Sequence, residues 1–493
     1  MKATKILICI LCCTWICSCS LLEVDPASTI TSQSFWKTPG DAKAYLTGIY
    51  NKVRSLNNTS YYGEDRGDAF KPGEIGPTSV AWAHTLLESN APSYRSAYNI
   101  IHHANLLFNK IESLKFTNET EKNRIKAECH FLRAYTYFLI VRIWGDAPII
   151  TDPVLSDNVE LKPRSPKEDV MKLILEDIEQ AVLLFPEDGY INKNLASKPA
   201  AYALKADVLM WKAKVLNGGN ADLEEAIKAI DQVGGSGVSL LPDYAKVFAN
   251  DNKKNNEIIF SFYFERYETG NLSIATNTTS RTDNLSMAVN LADAATSPNQ
   301  SRHVYAPSDK ARELYLKYPG DRRYKVAMID LVDKDGNLIL TQTNKFRGKA
   351  YSDDRYFDDD LIAYRWGDLL LLRAEANAAL NKISESLVDL NEVRDRAGLE
   401  PYDGPKDKIA VEKEICDERL RELFIEQKRW FDLVRFHCGG TIDIYKEVPT
   451  FNDKPGYTLS FPLNFNDLVL NDQLVSTNGS ANNVTRRTIQ KRN

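Results

Sequence analysis

Cysteine is scarce beyond the first residues of this 493-residue chain. Five of the eight cysteines (Cys9, Cys12, Cys13, Cys17 and Cys19) crowd into "CILCCTWICSC", which leaves only Cys129, Cys416 and Cys438. Three widely spaced thiols cannot close a disulfide framework, and none has the CxxC or Cys/His spacing of a metal or redox site. Long apolar runs are also missing. Nothing approaches the ~20 continuous apolar residues that a transmembrane helix needs. A basic excess is missing too: the formal charge is -5 and the pI is near 5.9, which argues against a nucleic-acid surface. The one basic cluster, "TRRTIQKRN" at the end of the chain, reads as an exposed tail. His102 and His103 are adjacent, so on a helix they point apart and form no i, i+4 metal pair.

What is present is the composition of a globular protein, 43% hydrophobic and 26% charged, with a mean hydropathy of -0.37. The crowded N-terminus has a separate explanation. Lys2 and Lys5 precede a short apolar run, the shape of a secretory signal. In place of small residues in the A-x-A manner stands Ile16-Cys17-Ser18-Cys19, which resembles a bacterial lipobox. On that reading residues 1–18 are a discarded signal, Cys19 is the acylated first residue, and residues 19–34 are a tether. More than one acyl chain is required for a durable hold, at ~0.8 kcal/mol per buried methylene.

From residue 35 to 234 the pattern is helical. "GDAKAYLTGIYNKVRSL" and "SYRSAYNIIHHANLLFNKIESL" space their apolar residues at helical intervals. "EKNRIKAECHFLRAYTYFLIVRIWGDAP" carries apolar residues on more than one face, which predicts burial on several sides, and Gly145 and Pro148 stop it. Ser165 with Glu168 reads as a capping box for the next helix. Antiparallel helices with Ala and Tyr or Phe at close-packing positions suggest tetratricopeptide-like pairs. Residues 235–360 are loop-rich, with a strand at "EIIFSFYFE" and a hairpin at "KVAMIDLVDKDGNLILTQT". "DKDGN" also mimics the start of a calcium loop, but the downstream Glu is missing. Helix returns over 361–437, with Gly398 placed as a C-terminal cap, and "KIAVEKEICDERLRELFIEQKRWFDLVRF" reads as one helix. The remaining tail is irregular. The fold class is therefore mainly α, with helix pairs supporting a loop-rich region of short β-hairpins, and the regions 35–234 and 235–493 are expected to share one globule.

Six segments carry a family resemblance. "SFWKTPGDAKAYLTGIY", "YRSAYNIIHHANLL", "AECHFLRAYTYFLIVRIWGDAPII", "YRWGDLLLLRAEANAAL", "LNEVRDRAGL" and "ERLRELFIEQKRWFDLVRF", in this order, resemble the SusD/RagB family of surface nutrient-binding lipoproteins. The family's usual Pro-Ile-Pro near the end is present only as "FPLN", and its Asn-Pro-Gly-Tyr ending is replaced by the basic tail. The resemblance implies a SusD-like fold that is lipid-anchored at the outer face of the outer membrane. It implies a SusC-like TonB-dependent β-barrel as partner, an oligosaccharide ligand or in some relatives a peptide, no cofactor, and no catalysis. A structural helical-repeat adaptor and a lipid-anchored hydrolase are the competing readings.

The charged residues Arg373, Glu375, Glu418, Arg419, Glu422, Glu426, Arg429 and Asp432 alternate at helical intervals, which predicts ion pairs and not acid/base chemistry. A glycosidase needs two carboxylates facing one cleft, and no pair stands out. A sugar site needs aromatic platforms beside polar groups, carried on loops. The segment "TSYYGEDRGDAFKPGEIGPTSVAWAH" offers Tyr61, Tyr62, Asp65, Arg66, Asp68 and Trp82. Further candidates are Tyr263, Tyr267, Tyr305 and Arg347, and the alternative for the aromatics is that they pin loops to the body. The acidic run "YSDDRYFDDDLI" is expected to cap the helix after it.

Overall fold

Thr38, Pro39 and Asp41 fix where the first helix begins. Asp41 accepts hydrogen bonds from the Thr38 amide at 2.6 Å and hydroxyl at 2.8 Å, and Pro39 takes the first helical position, where a missing N–H costs nothing. The computed structural model describes residues 35–156, 159–451 and 457–474, so the signal, the lipobox with Cys19 and the basic tail lie outside the described residues. The long helices are α1 (Pro39–Asn57), α2 (Arg95–Ile111), α3 (Glu119–Trp144), α4 (Lys167–Leu184), α5 (Lys198–Val215) and α6 (Asn220–Gly234). After the loop-rich region follow α7 (Trp366–Ala379), α8 (Ile383–Arg396), α9 (Lys408–Leu423) and α10 (Arg429–Cys438).

Each helix packs on its neighbour in sequence from α1 to α6, and α6 then packs on α7. The helical stack thus continues across residues 235–365, which leave it and return. α3 is its centre. Asn118 caps its start, Gly145 at φ +78° ends it, and every residue from Phe131 to Trp144 is buried. One apolar core runs from Ala42 on α1 to Leu474, each large side chain in it contributing ~1.5–3 kcal/mol.

Strands β1 to β8 form antiparallel pairs, with β1 in the loop after α1 and β2 to β8 in the excursion. β1 (Phe70–Pro72) lies beside β3 (Tyr305–Pro307), and β2 (Ile258–Phe262) beside β8 (Leu361–Arg365). β4 (Met328–Val332) and β5 (Leu338–Thr343) form the expected hairpin, while β6 (Lys349–Ala350) and β7 (Arg355–Tyr356) form a second. In the first hairpin Asp333 accepts from the amides of Asp335 and Asn337, both at 2.9 Å, so its carboxylate serves the turn. Gly398, at φ +80°, ends α8 as expected.

Three local readings are corrected. Ser165 caps nothing: it pairs with Ala147 in a β-bridge, and α4 starts after Pro166. Asp358, Asp359 and Asp360 precede strand β8 instead of a helix, and Asn250, Lys253 and the Phe264 amide gather on them. The single helix expected over 408–436 is broken between α9 and α10, where Ile425 and Gln427 adopt positive φ of 57° and 61°. No glycine or proline marks that break. The loop after α1 imposes it: Glu64 accepts from the Gln427 amide at 2.6 Å and the Gly63 carbonyl from the Trp430 amide at 2.8 Å. Gly63 permits the approach, since a Cβ there would meet the Gln427 carbonyl oxygen at 2.1 Å.

Candidate functional site

The loop after α1 divides its own candidates between the interior and a cleft. Asp65, Arg66 and Asp68 are all buried. Asp65 accepts from Ser79 Oγ at 2.6 Å and from Tyr305 Oη at 2.9 Å. Arg66 donates to the carbonyls of Leu459 and Thr458, both at 2.6 Å, and stacks 4.2 Å from the Trp430 ring. Among the described residues no carboxylate pairs with it, and burial pulls its pKa down to about 9. Asp68 takes a two-pronged contact from Arg429, at 2.6 and 2.8 Å, and another from Lys310 at 2.7 Å. Burial alone would raise its pKa, but these two cations hold it well below the carboxylate range.

These residues were expected to face a ligand. They are held in the interior instead, because a buried charge needs a partner and each of these side chains has found at least one inside the protein. Tyr305 is corrected in the same way: it is buried, stacks on Phe70 at 5.1 Å between centroids, and spends its hydroxyl on Asp65. Arg347 donates to the Asp293 carbonyl at 2.8 Å and to Asn344 Oδ1 at 2.6 Å, which ties a loop. Trp82 is half-buried, with Nε1 bonded to the Phe70 carbonyl at 3.2 Å.

Tyr61 and Tyr62 have a different place. Both line an open cleft of about 890 Å³ between α1 and the start of α2. Their rings meet edge-on at 6.1 Å and rest on Phe461, and burial pushes both phenols up to about 12. They are therefore neutral rings with one side packed. α1 contributes Asn51, Lys52 and Ser55 to the cleft, and α2 contributes Arg95, Ser96 and Asn99. Lys52 Nζ bridges the two helices by donating to Asn99 Oδ1 at 2.9 Å. Arg95 Nε is held at 2.9 Å by Asp467, which also accepts from Ser93 Oγ. No aspartate or glutamate is among the described lining residues.

Sequence reasoning named the two tyrosines and missed both helical walls. The available signal was positional: 51, 52 and 55, and 95, 96 and 99, are polar residues one turn apart, each set on the face of its helix opposite the core positions. Of the remaining candidates, Tyr263 borders α1, its carbonyl accepting from Arg54 at 3.0 Å. Tyr267 is 81% exposed beside Arg266, whose guanidinium also lies over Tyr351 and Tyr356. A second cleft of about 380 Å³ opens near Trp144, Arg164, Lys167 and Cys438 and contains none of the expected site residues.

The predicted ion pairs belong to a buried lattice whose members do not line the cleft. Arg365 reaches Glu257, Glu422 and Glu426 at 2.6–2.7 Å, and Arg323 reaches Glu418 and Glu422 at 2.6 and 2.9 Å. Arg435 joins Glu375 and Asp432 at 2.7 and 2.8 Å, while Arg419 joins Asp368 and Asp432. Burial opposes ionisation of Glu375 and Glu418, yet the surrounding cations bring both down to about 2. Among the described residues no cluster of His, Cys, Asp and Glu has the geometry to hold a metal ion.

Comparison with known proteins agrees along the chain. The family described as "SusD family" matches residues 210–490, and the one described as "Starch-binding associating with outer membrane" matches residues 22–210. A "SusD-like protein P38" of Formosa agariphila is 28% identical over 92% of this chain and 94% of its own. The "Starch-binding protein SusD" of Bacteroides thetaiotaomicron is 25% identical over 73% of this chain and 72% of its own. Among solved structures, a SusD superfamily protein from Bacteroides fragilis superposes with a TM-score of 0.80 at 25% identity, covering 90% of this chain and all of that one.

Proposed function

Since the chain belongs to the SusD family, we propose that it is a glycan-binding protein of the bacterial outer membrane that captures an oligosaccharide in the α1–α2 cleft. The observation that carries this reading is the lining of that cleft. Two neutral, half-packed tyrosine rings offer apolar faces to sugar C–H groups, and the amides of Asn51 and Asn99 with the hydroxyls of Ser55 and Ser96 offer donors and acceptors for sugar hydroxyls. The starch-binding relative supports the ligand class. The described lining residues include no carboxylate pair of the kind a glycosidase needs, which supports a protein that binds its ligand and hands it over.

In this reading Cys19 carries the lipid anchor, the protein faces the cell surface, and it passes its ligand to a SusC-like TonB-dependent barrel. No cofactor takes part. The test is calorimetric titration of the soluble form, lacking residues 1–19, against panels of oligosaccharides and peptides, with product analysis of each mixture. Glycan binding without product formation is expected. Binding confined to peptides would assign a different ligand to the same cleft, and turnover that survives repurification would contradict the reading. Cys19→Ala should release the full-length protein from membranes and abolish acyl labelling.

A further inference from the structure

We infer that the glycan taken by the α1–α2 cleft is an acidic one, with its carboxylate or sulfate group seated at the rim formed by Lys52 and Arg95. The inference rests on the glycan-binding reading and adds the charge class of the ligand. It starts from an imbalance. The protein as a whole is acidic, with a formal charge of -5, yet the cleft is lined by two cations and, among the described lining residues, by no carboxylate.

Neither cation is consumed by its neighbours. Lys52 is exposed, and among the described residues its one side-chain hydrogen-bond partner is the neutral Asn99, with no carboxylate paired to it. Arg95 is paired with Asp467, but the two partners sit at different depths. The Arg95 side chain is 54% exposed and that of Asp467 only 2%. Asp467 lies beneath, where Ser93 Oγ and the Tyr94 amide also bond to it. It holds Nε, while Nη2 reaches the Asn466 carbonyl at 3.2 Å. Among the described residues Nη1 has no such anchor, so a ligand above meets guanidinium N–H groups in a fixed orientation before it meets the carboxylate. A planar, pre-oriented guanidinium suits a carboxylate or sulfate oxygen pair.

The start of α2 adds little, since the Tyr94 amide is bonded to Asp467 and the Arg95 amide to Ser93 Oγ at 3.1 Å. The proposal stands on the two side chains and the carboxylate-free lining. The tyrosine pair then takes the apolar face of the same or the next sugar ring, which separates recognition of the ring from recognition of its charge.

The experiment is calorimetric titration of the soluble form with size-matched probes: a neutral gluco-oligosaccharide, an oligogalacturonate and a sulfated galacto-oligosaccharide, each at about 25 and about 250 mM NaCl. One of the two acidic probes is expected to bind about tenfold more tightly than the neutral one at low salt, and which one does so distinguishes carboxylate from sulfate. That advantage should shrink at least about threefold at high salt. Lys52→Gln, at an exposed position, should reduce the ratio of acidic to neutral affinity by about fivefold, and Arg95→Gln should do the same. Equal or tighter binding of the neutral probe would overturn the inference and leave glycan binding intact, as would an acidic preference that Lys52→Gln does not change. Absence of binding to every carbohydrate would instead remove the reading beneath it.

Discussion

Around α9, arginines and glutamates meet below the surface with both signs matched, whereas at the α1–α2 cleft Lys52 has no described acid beside it and Arg95 stands half-exposed above its one described acidic partner, Asp467. Arg365 and Arg323 are fully buried among Glu257, Glu418, Glu422 and Glu426, while Lys52 is exposed and Arg95 half-exposed. The same residue types therefore do different work. In the interior their charges are spent on each other and fix how α7, α8 and α9 sit under the loop-rich region. At the cleft they remain available to a ligand. A buried lattice of this kind is costly to desolvate and stable only while complete, so damage to it should unfold the protein, and damage to the cleft should spare the fold.

The largest effect that separates the two regions is collective. Glu375 and Glu418 titrate near 2 in the folded protein against an ordinary value of 4.5. The unfolded chain therefore binds more protons between those values, and stability present above pH 4.5 is lost as pH falls toward 2. Thermal unfolding followed across that range should show a steep fall in Tm, and a flat profile would contradict the lattice.

Arg365→Met is expected to cost about 3–5 kcal/mol, because three carboxylates lose their common partner in the interior. Chemical denaturation measures this. Asp68→Asn should cost about 3 kcal/mol by leaving Arg429 short of its counter-charge, with little change in ligand affinity among molecules that remain folded. That outcome would place Asp68 with the lattice; a selective loss of affinity would return it to the cleft. Tyr61→Ala is smaller still. Its expected effect is about 1 kcal/mol of binding, read by calorimetry, with a smaller change in stability. Trp82→Ala, outside the cleft lining, should affect affinity less than Tyr61→Ala does.

Much of the fold was legible because it depends on local signals. Gly145 and Gly398 end their helices where the pattern stops, and "DKDGN" closes the β4–β5 hairpin. The alternating charges of 373–432 announced ion pairs, although not that they would be buried. What could not be read locally was long-range. Asp68 and Arg429 are 361 positions apart, and Arg66 finds its acceptor at Leu459, 393 positions away. A loop rich in Tyr, Asp and Arg has the same composition whether it faces a sugar or anchors a core, and only the partners decide. The break between α9 and α10 is likewise imposed by Gly63 and Glu64 from the far end of the chain. The cleft walls were legible in principle, as polar residues one turn apart on α1 and α2. Asn, Ser, Lys and Arg on a solvated helix face look the same in sequence whether or not a cleft lies beside them.

The most direct measurement is calorimetric titration of a Tyr61→Ala/Asn99→Ala variant of the soluble form against the oligosaccharide that the unmodified protein binds most tightly. One substitution removes a ring and the other an amide from opposite sides of the cleft. The account predicts an affinity at least about tenfold lower, with a Tm close to that of the unmodified protein. Unchanged affinity in a folded variant would contradict the assignment of the α1–α2 cleft as the site.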